Sequence, residues 1–264
     1  MEKHKQLGFP VPLLGMEPVR LPVLYDDGDL LALAKPVGVL VQPDVWYPKL
    51  PVLIEAIRHQ GQQQKPEFAR MGIGDEGLWA INDLDPDCYG PVLFARNRET
   101  AEGLKSELGS GKFTFTFRFL SRSKITGPVI DCSLPIARHR QQARILVSHT
   151  TGKKAATQFV FEDANGATNL WQAITQFPRR HQIMLHSSES GLPVMGDTLY
   201  AREKLLLLSQ LKRNYQYKRD VEERPMYPGP AIYLSRIDLE GRMILCPEPP
   251  RWNGLRKQLG KHAR

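Results

Sequence analysis

The stretch Asn82-Asp83-Leu84-Asp85-Pro86-Asp87-Cys88-Tyr89-Gly90-Pro91-Val92-Leu93-Phe94-Ala95-Arg96 sets three carboxylates at alternate positions directly ahead of an apolar run. Turn-forming residues followed by residues 91–95 read as an acidic loop entering a buried strand, with Gly90-Pro91 at the junction. A carboxylate fixed at a strand edge is held rigidly, which is what a catalytic acid needs, and Asp85 is the candidate. A solvated turn is the plainer reading of the same three residues. A calcium loop is set aside, because ligands at Asp83, Asp85 and Asp87 would require glycine at Cys88 and an acid at Phe94.

Upstream, residues 23–25 and 30–34 are apolar and flank Asp26-Asp27-Gly28-Asp29, the pattern of a hairpin closed at Lys35-Pro36-Val37-Gly38. Residues 1–21, with Pro10, Pro12 and Pro18, read as an extended lead-in that lies along the body or stays loose. Leu53, Ile54 and Ile57 mark a short amphipathic helix, and residues 60–77 a surface loop. Downstream, Ala101, Leu104 and Leu108 at helical spacing predict a helix over 98–108, stopped by Gly109 and Gly111. Phe113-Thr114-Phe115-Thr116-Phe117-Arg118-Phe119 alternates aromatic with polar residues, the mark of a strand with one buried face. Residues 128–144 read as irregular and basic. Strands are expected over 144–149, 155–161, 169–175 and 181–186, with Asn165-Gly166 turning between the second and third. Leu205 to Leu208 suggest a helix before a long loop, and residues 232–245 a strand pair. The tail from Arg251 to Arg264 holds five Arg or Lys and no acid.

A chain of 264 residues, 41% hydrophobic, can bury one large core. The domain expected spans 22–250, between the lead-in of 1–21 and the basic tail of 251–264. Thirty-six Lys and Arg against 28 Asp and Glu give a net charge of +8, which favours a polyanionic partner. Cys88, Cys132 and Cys246 are widely spaced without a Cys-x-x-Cys pair, so neither zinc nor a disulfide framework is suggested, and a reducing cytoplasm fits. No signal peptide and no membrane span is expected.

The acidic block also resembles a family. Leu84-Asp85-x-Asp87, Gly90 and Leu93-Phe94-Ala95-Arg96 are similar to the signature of the RluA-type pseudouridine synthases: His-Arg-Leu-Asp, two residues, Thr-Ser-Gly, then an apolar strand. Further blocks follow in the family's order. Asp27 to Gly38 resembles its opening strand pair and Lys-Pro-x-Gly turn, and Gly152-Lys153-Lys154-Ala155-Ala156-Thr157 resembles its Gly-Lys-x-Ala-x-Thr run. Arg179-Arg180-His181-Gln182-Ile183 stands where the family has Thr-Gly-Arg-Thr-His-Gln-Ile-Arg. The most specific block is Gly191 to Tyr200, similar to Gly-x-Pro-x-x-Gly-Asp-x-x-Tyr.

The resemblance covers residues 22–245. It implies an α+β pseudouridine synthase fold, a mixed and largely antiparallel sheet flanked by helices with a central cleft. It also implies an enzyme that isomerises uridine in ribosomal or transfer RNA without metal or cofactor, with Asp85 as the catalytic residue; a monomer is expected. Phe117 takes the place of a family tyrosine expected to stack on the base, and it lacks the hydroxyl for proton transfer. A core Phe among four alternating ones is the alternative. Met184 stands where the family has an arginine paired with the catalytic Asp, and Asp83 where it has another arginine. Removing a cation and adding a neighbouring anion both favour the neutral form of a buried carboxyl. The replacement cations to consider are Lys35, Arg179 and Arg180, which with Phe117 and Met184 make the expected substrate-binding set. On a strand, Gln182 and Arg180 would lie roughly 6.7 and 13 Å from Met184. His181 and His186 read as structural rather than metal-binding. The rival readings are a lapsed paralogue that binds RNA without chemistry and, more remotely, a hydrolase with an acid pair that would release free base.

Overall fold

A computed structural model describes residues 5–125, 127–166, 168–212, 215–216 and 222–261. Its first elements are β1 (Gln6–Phe9), β2 (Val19–Asp26), β3 (Leu30–Lys35), α1 (Leu53–Gln62), α2 (Pro66–Arg70), β4 (Trp79–Ala80), β5 (Gly90–Ala95), α3 (Arg98–Ser106) and β6 (Phe113–Ser121). There follow β7 (Val129–Cys132), β8 (Ile136–Arg138), β9 (Ile145–Val147), β10 (Thr157–Asn165), β11 (Thr168–Thr175), α4 (Gln182–Glu189), β12 (Ile232–Leu239), β13 (Arg242–Leu245) and α5 (Trp252–Lys261). The chain forms two compact units. One takes the described residues up to Thr114 together with Leu234–Cys246, the other Phe115–Tyr233 with the residues from Pro247 onward.

In the first unit an antiparallel sheet runs in the order β1-β2-β3-β5-β4. The Asp-Gly hairpin is present as expected. The Asp27 carboxylate accepts from the Leu30 and Asp29 amides at 2.8 and 3.1 Å, and Gly28 takes the positive φ that the turn demands. Burial works against this carboxylate, but those amides with Tyr25 and Arg242 hold it down to about 2. Every residue of β3 and β5 is buried, as central strands covered on both faces require. Their register sets Lys35 opposite Gly90, so the turn after β3 and the acidic loop before β5 emerge side by side. Of the two alternatives for the lead-in, its described residues take the first and lie along the body: Leu7 and Phe9 of β1 are buried, and Phe9 meets Phe68 edge to face at 5.5 Å. Residues 60–77 are not simply a surface loop, since Pro66 starts α2 and Phe68 is fully buried. Helix α3 begins at Asn97, whose side chain accepts from the Thr100 amide at 2.8 Å. Hairpin residues of β12 and β13 pair from Arg236↔Leu245 to Leu239↔Arg242.

The second unit is built on the antiparallel run β6-β11-β10-β7. The alternating aromatic strand is as expected: Phe115, Phe117 and Phe119 are buried while the intervening Thr116 and Arg118 are half-buried. Asn165-Gly166 forms the turn into β11. Residues 128–144 are more ordered than expected, contributing β7 to the sheet and pairing β8 with β9. The segment expected as a strand over 181–186 is instead α4, entered through a left-handed His181. Residues 182–187 are all buried, polar Gln182, His186 and Ser187 included, so no solvent-facing side marks the helical period. No helix forms over 205–208; a three-residue 3-10 turn (Leu208–Gln210) stands there, and part of the long loop that follows lies outside the described residues. The basic tail is helical through Lys261. Trp252, Leu255 and Leu259 of α5 are buried, and Trp252 packs edge to face on Tyr233 and Tyr227 at 4.9 and 5.7 Å. No helix among the described residues is long and apolar enough to cross a membrane.

Candidate active site

Strand β4 ends at Ala80, yet its ladder with β5 continues through other groups. The Ile81 amide donates to the Leu93 carbonyl at 2.8 Å. The buried Asn82 side chain then accepts from the Leu93 amide at 2.8 Å and donates to the Pro91 carbonyl at 3.3 Å. From there the main chain leaves the sheet. Asp83 is exposed and accepts from the Leu84 amide, Leu84 is buried, and Asp85 and Asp87 are half-buried. A turn closes from the Cys88 amide to the Asp85 carbonyl at 3.0 Å. The loop ends at Gly90, where the backbone of Leu234 comes so near that a Cβ would lie 2.7 Å from its carbonyl oxygen.

Beneath this loop sits Lys35, with no exposed surface. Its ammonium donates to the carbonyls of Val39 at 2.8 Å, Pro36 at 2.9 Å and, at the long limit, Pro86 at 3.5 Å. Burial pulls this amine down to about 8, against the attraction of the Asp85, Asp83 and Asp87 carboxylates. Lys35 and Asp85 are therefore brought into one electrostatic cluster. Contact between Lys35 and RNA is not what this placement provides. Burial also pushes up the Cys88 and Tyr89 side chains, and Cys246 up to about 12.

The other expected residues stand on the second unit. Phe117 is buried, paired with Ala173 across the β6–β11 ladder. Met184 is buried in α4. Arg179 donates from Nε to the Lys154 carbonyl at 3.0 Å, and its guanidinium lies 4.7 Å from the Phe177 ring centre. Arg180 is half-buried immediately before His181. Because residues 182–189 are helical, the strand-based separations from Met184 do not apply; within the helix each residue advances only about 1.5 Å.

His181 and His186 are structural, through contacts the sequence did not spell out. His186 Nε2 bonds the Leu134 carbonyl and must donate, so Nδ1 accepts from the Thr157 hydroxyl at 2.9 Å, which in turn accepts from Gln182 at 3.0 Å. Burial lowers the affinity of His186 for a second proton. His181 Nδ1 lies 2.9 Å from the Tyr200 hydroxyl, which accepts from the Ile145 amide at 2.9 Å. The Gly-Asp-x-x-Tyr block signalled Tyr200, and Asp197 caps that turn by accepting from the Leu199 and Tyr200 amides.

These strands and helices are those of the pseudouridine synthase fold. The solved structure of human RNA pseudouridylate synthase domain containing 4 superposes with a TM-score of 0.65 at 15% identity, over 90% of this chain and 92% of that one. Its human counterpart, domain containing 1, gives 0.58 at 18% identity over 89% and 87%. No protein-family model matches the chain. In sequence it is 27% identical over 188 residues to an uncharacterised RNA pseudouridine synthase of Synechocystis, covering 69% of this chain and 55% of that protein. It is also 27% identical over 186 residues to ribosomal large subunit pseudouridine synthase D of Haemophilus influenzae, covering 70% and 54%. The chain thus spans about half the length of the curated relatives it matches. Its sequence is thus similar to those of RNA pseudouridine synthases, and its fold is theirs.

Proposed function

We propose that this chain is an RNA pseudouridine synthase whose catalytic group is the Asp85 carboxylate. The observation that carries the reading is the way the loop is held. Asn82 fastens its start to β5, the Gly38 amide donates to the Pro86 carbonyl at 2.8 Å, and Lys35 lies beneath. Asp85 is left half-buried on a fixed backbone, not on a loose solvated turn. In the reaction the uracil N1–C1′ bond breaks, the base turns, and C5 joins C1′; the C5 hydrogen leaves to solvent and N1 gains a proton. An ionised carboxylate near C1′ stabilises the positive charge there or bonds to it transiently. Phe117, Met184, Arg179 and Arg180 are proposed to bind the substrate, as the resemblance implies. We assign ribosomal or transfer RNA as the substrate, a monomer as the working form and the cytoplasm as the compartment. The basic residues Arg138, Arg140 and Arg144 and those of α5 would hold RNA phosphates, giving salt-dependent affinity.

The departures at Asp83, Phe117 and Met184 favour a second reading, a paralogue that binds RNA without isomerising it. Bulk RNA tritiated at uridine C5 separates the two. Release of label by the parent and none by Asp85→Asn supports the synthase; retention by both, with salt-dependent RNA binding intact, supports the lapsed binder.

A further inference from the structure

A single apolar side chain at the surface is ordinary. Phe177, 38% exposed, is set apart by what holds it there. It lies in the short connection between the end of β11 and the start of α4, and one fully buried side chain anchors that connection at both ends. The Gln182 carboxamide donates to the Ala156 carbonyl and the Thr157 hydroxyl at 3.0 Å each and to the Thr175 hydroxyl at 3.3 Å, while its oxygen accepts the Arg179 amide at 3.0 Å. Pro178 restricts the backbone of Phe177 to extended conformations. The Arg179 guanidinium, tied through Nε to the Lys154 carbonyl, lies 4.7 Å from the Phe177 ring centre. Lys153 and Lys154 are exposed on the adjoining segment. A flat ring and a flat cation are therefore presented together on a braced backbone, beside two further positive charges.

We infer that Phe177 and Arg179 form a stacking platform for an unpaired RNA base, which selects RNA carrying an unstacked nucleotide over continuous duplex. The inference deepens the reading of RNA as the partner and rests on it, whichever role Asp85 plays. Every base offers a flat face that an aromatic ring and a guanidinium both accept, whereas in a duplex neighbouring bases cover those faces. The cations beside the ring favour a polyanion over an apolar protein surface.

Fluorescence anisotropy of the full chain with two labelled probes, a short oligouridylate and an RNA duplex of the same strand length, tests this across a salt series. Phe177→Ala should weaken oligouridylate binding roughly fivefold to a hundredfold, the worth of one stacked base, and duplex binding less than twofold. The slope of affinity against salt should stay the same, since no phosphate contact is removed. Phe177→Tyr, which keeps a ring, should bind within twofold of wild type. Phe177→Leu, apolar but ringless, should bind as weakly as Phe177→Ala. Oligouridylate affinity of Phe177→Ala within twofold of wild type overturns the platform, as does an equal loss on duplex, a shallower salt slope, or full recovery with leucine. Should Phe177→Ala fail to fold, Phe177→Leu takes its place, with Phe177→Tyr as the rescue. Wild type that binds the duplex alone also overturns the platform. Wild type that binds neither probe refutes RNA as the partner, and the platform with it.

Discussion

Adding one methyl group at Gly90 tests whether the acidic loop is as tightly seated as its contacts imply. A Cβ there would lie 2.6 Å from the Leu234 Cβ and 2.7 Å from the Leu234 carbonyl oxygen, where ordinary contacts begin at 3.4 Å. Neither atom can swing away, since both are part of, or bonded directly to, the backbone. Moving that backbone would break the 2.9 Å bond from the Leu234 amide to the Tyr89 carbonyl. Gly90 also has φ +153, a conformation that side chains rarely adopt. Overpacking of this kind costs about 1–3 kcal/mol, and the backbone conformation adds on the order of 1 kcal/mol. Gly90→Ala should therefore lose about 3 kcal/mol, which for a chain of this size lowers the melting temperature by roughly 6–12 °C. Thermal and urea denaturation followed by circular dichroism measure the loss. Gly103→Ala is the matched control, since its site in α3 has nothing within 4 Å of the new methyl group. It should gain up to about 1 kcal/mol from helix propensity. A melting temperature for Gly90→Ala within about 2 °C of wild type would refute the close approach of Leu234.

Other perturbations have equally definite outcomes. Asn97→Ala removes the acceptor for the Thr100 amide at the start of α3 and should cost about 1 kcal/mol in urea denaturation. Trp252→Ala empties a fully buried site against Tyr227 and Tyr233 and should cost about 3–5 kcal/mol, read by the same assay. The folded protein holds His186 neutral, with its affinity for a second proton lowered by burial, while the unfolded chain takes that proton near pH 6.5. Its contribution to stability is complete above that pH and falls away as the pH drops below it. Urea midpoints at pH 5 and 7.5 should differ more for wild type than for His186→Gln.

Elements whose signal is local were legible in the sequence. The Asp-Gly hairpin, the alternating strand from Phe113, the helix capped at Asn97 and the Asn-Gly turn each rest on residues within a few positions of one another. The segment from His181 was not legible as a helix, because six buried residues in succession carry no periodic contrast. Residues 60–77 and 128–144 hid α2, β7 and β8 for a different reason. Their order comes from single anchors such as Phe68 and from partners far along the chain, as in Cys132↔Thr157. In the candidate site, Asp85 and Lys35 could be named from family blocks. The burial of Lys35 and its hold on the Pro86 carbonyl arise from the register that sets it opposite Gly90, and spacing alone does not specify that register.

Asn82 gives the loop its licence to exist. By offering one acceptor and one donor to β5, its carboxamide impersonates a peptide unit and supplies the final rung. The five residues that follow are then released from any obligation to the sheet. Aspartate at this place could receive from Leu93 but give nothing to Pro91. The departure from the family's residue at this position is thus a change of mortise and tenon at the mouth of the acidic loop.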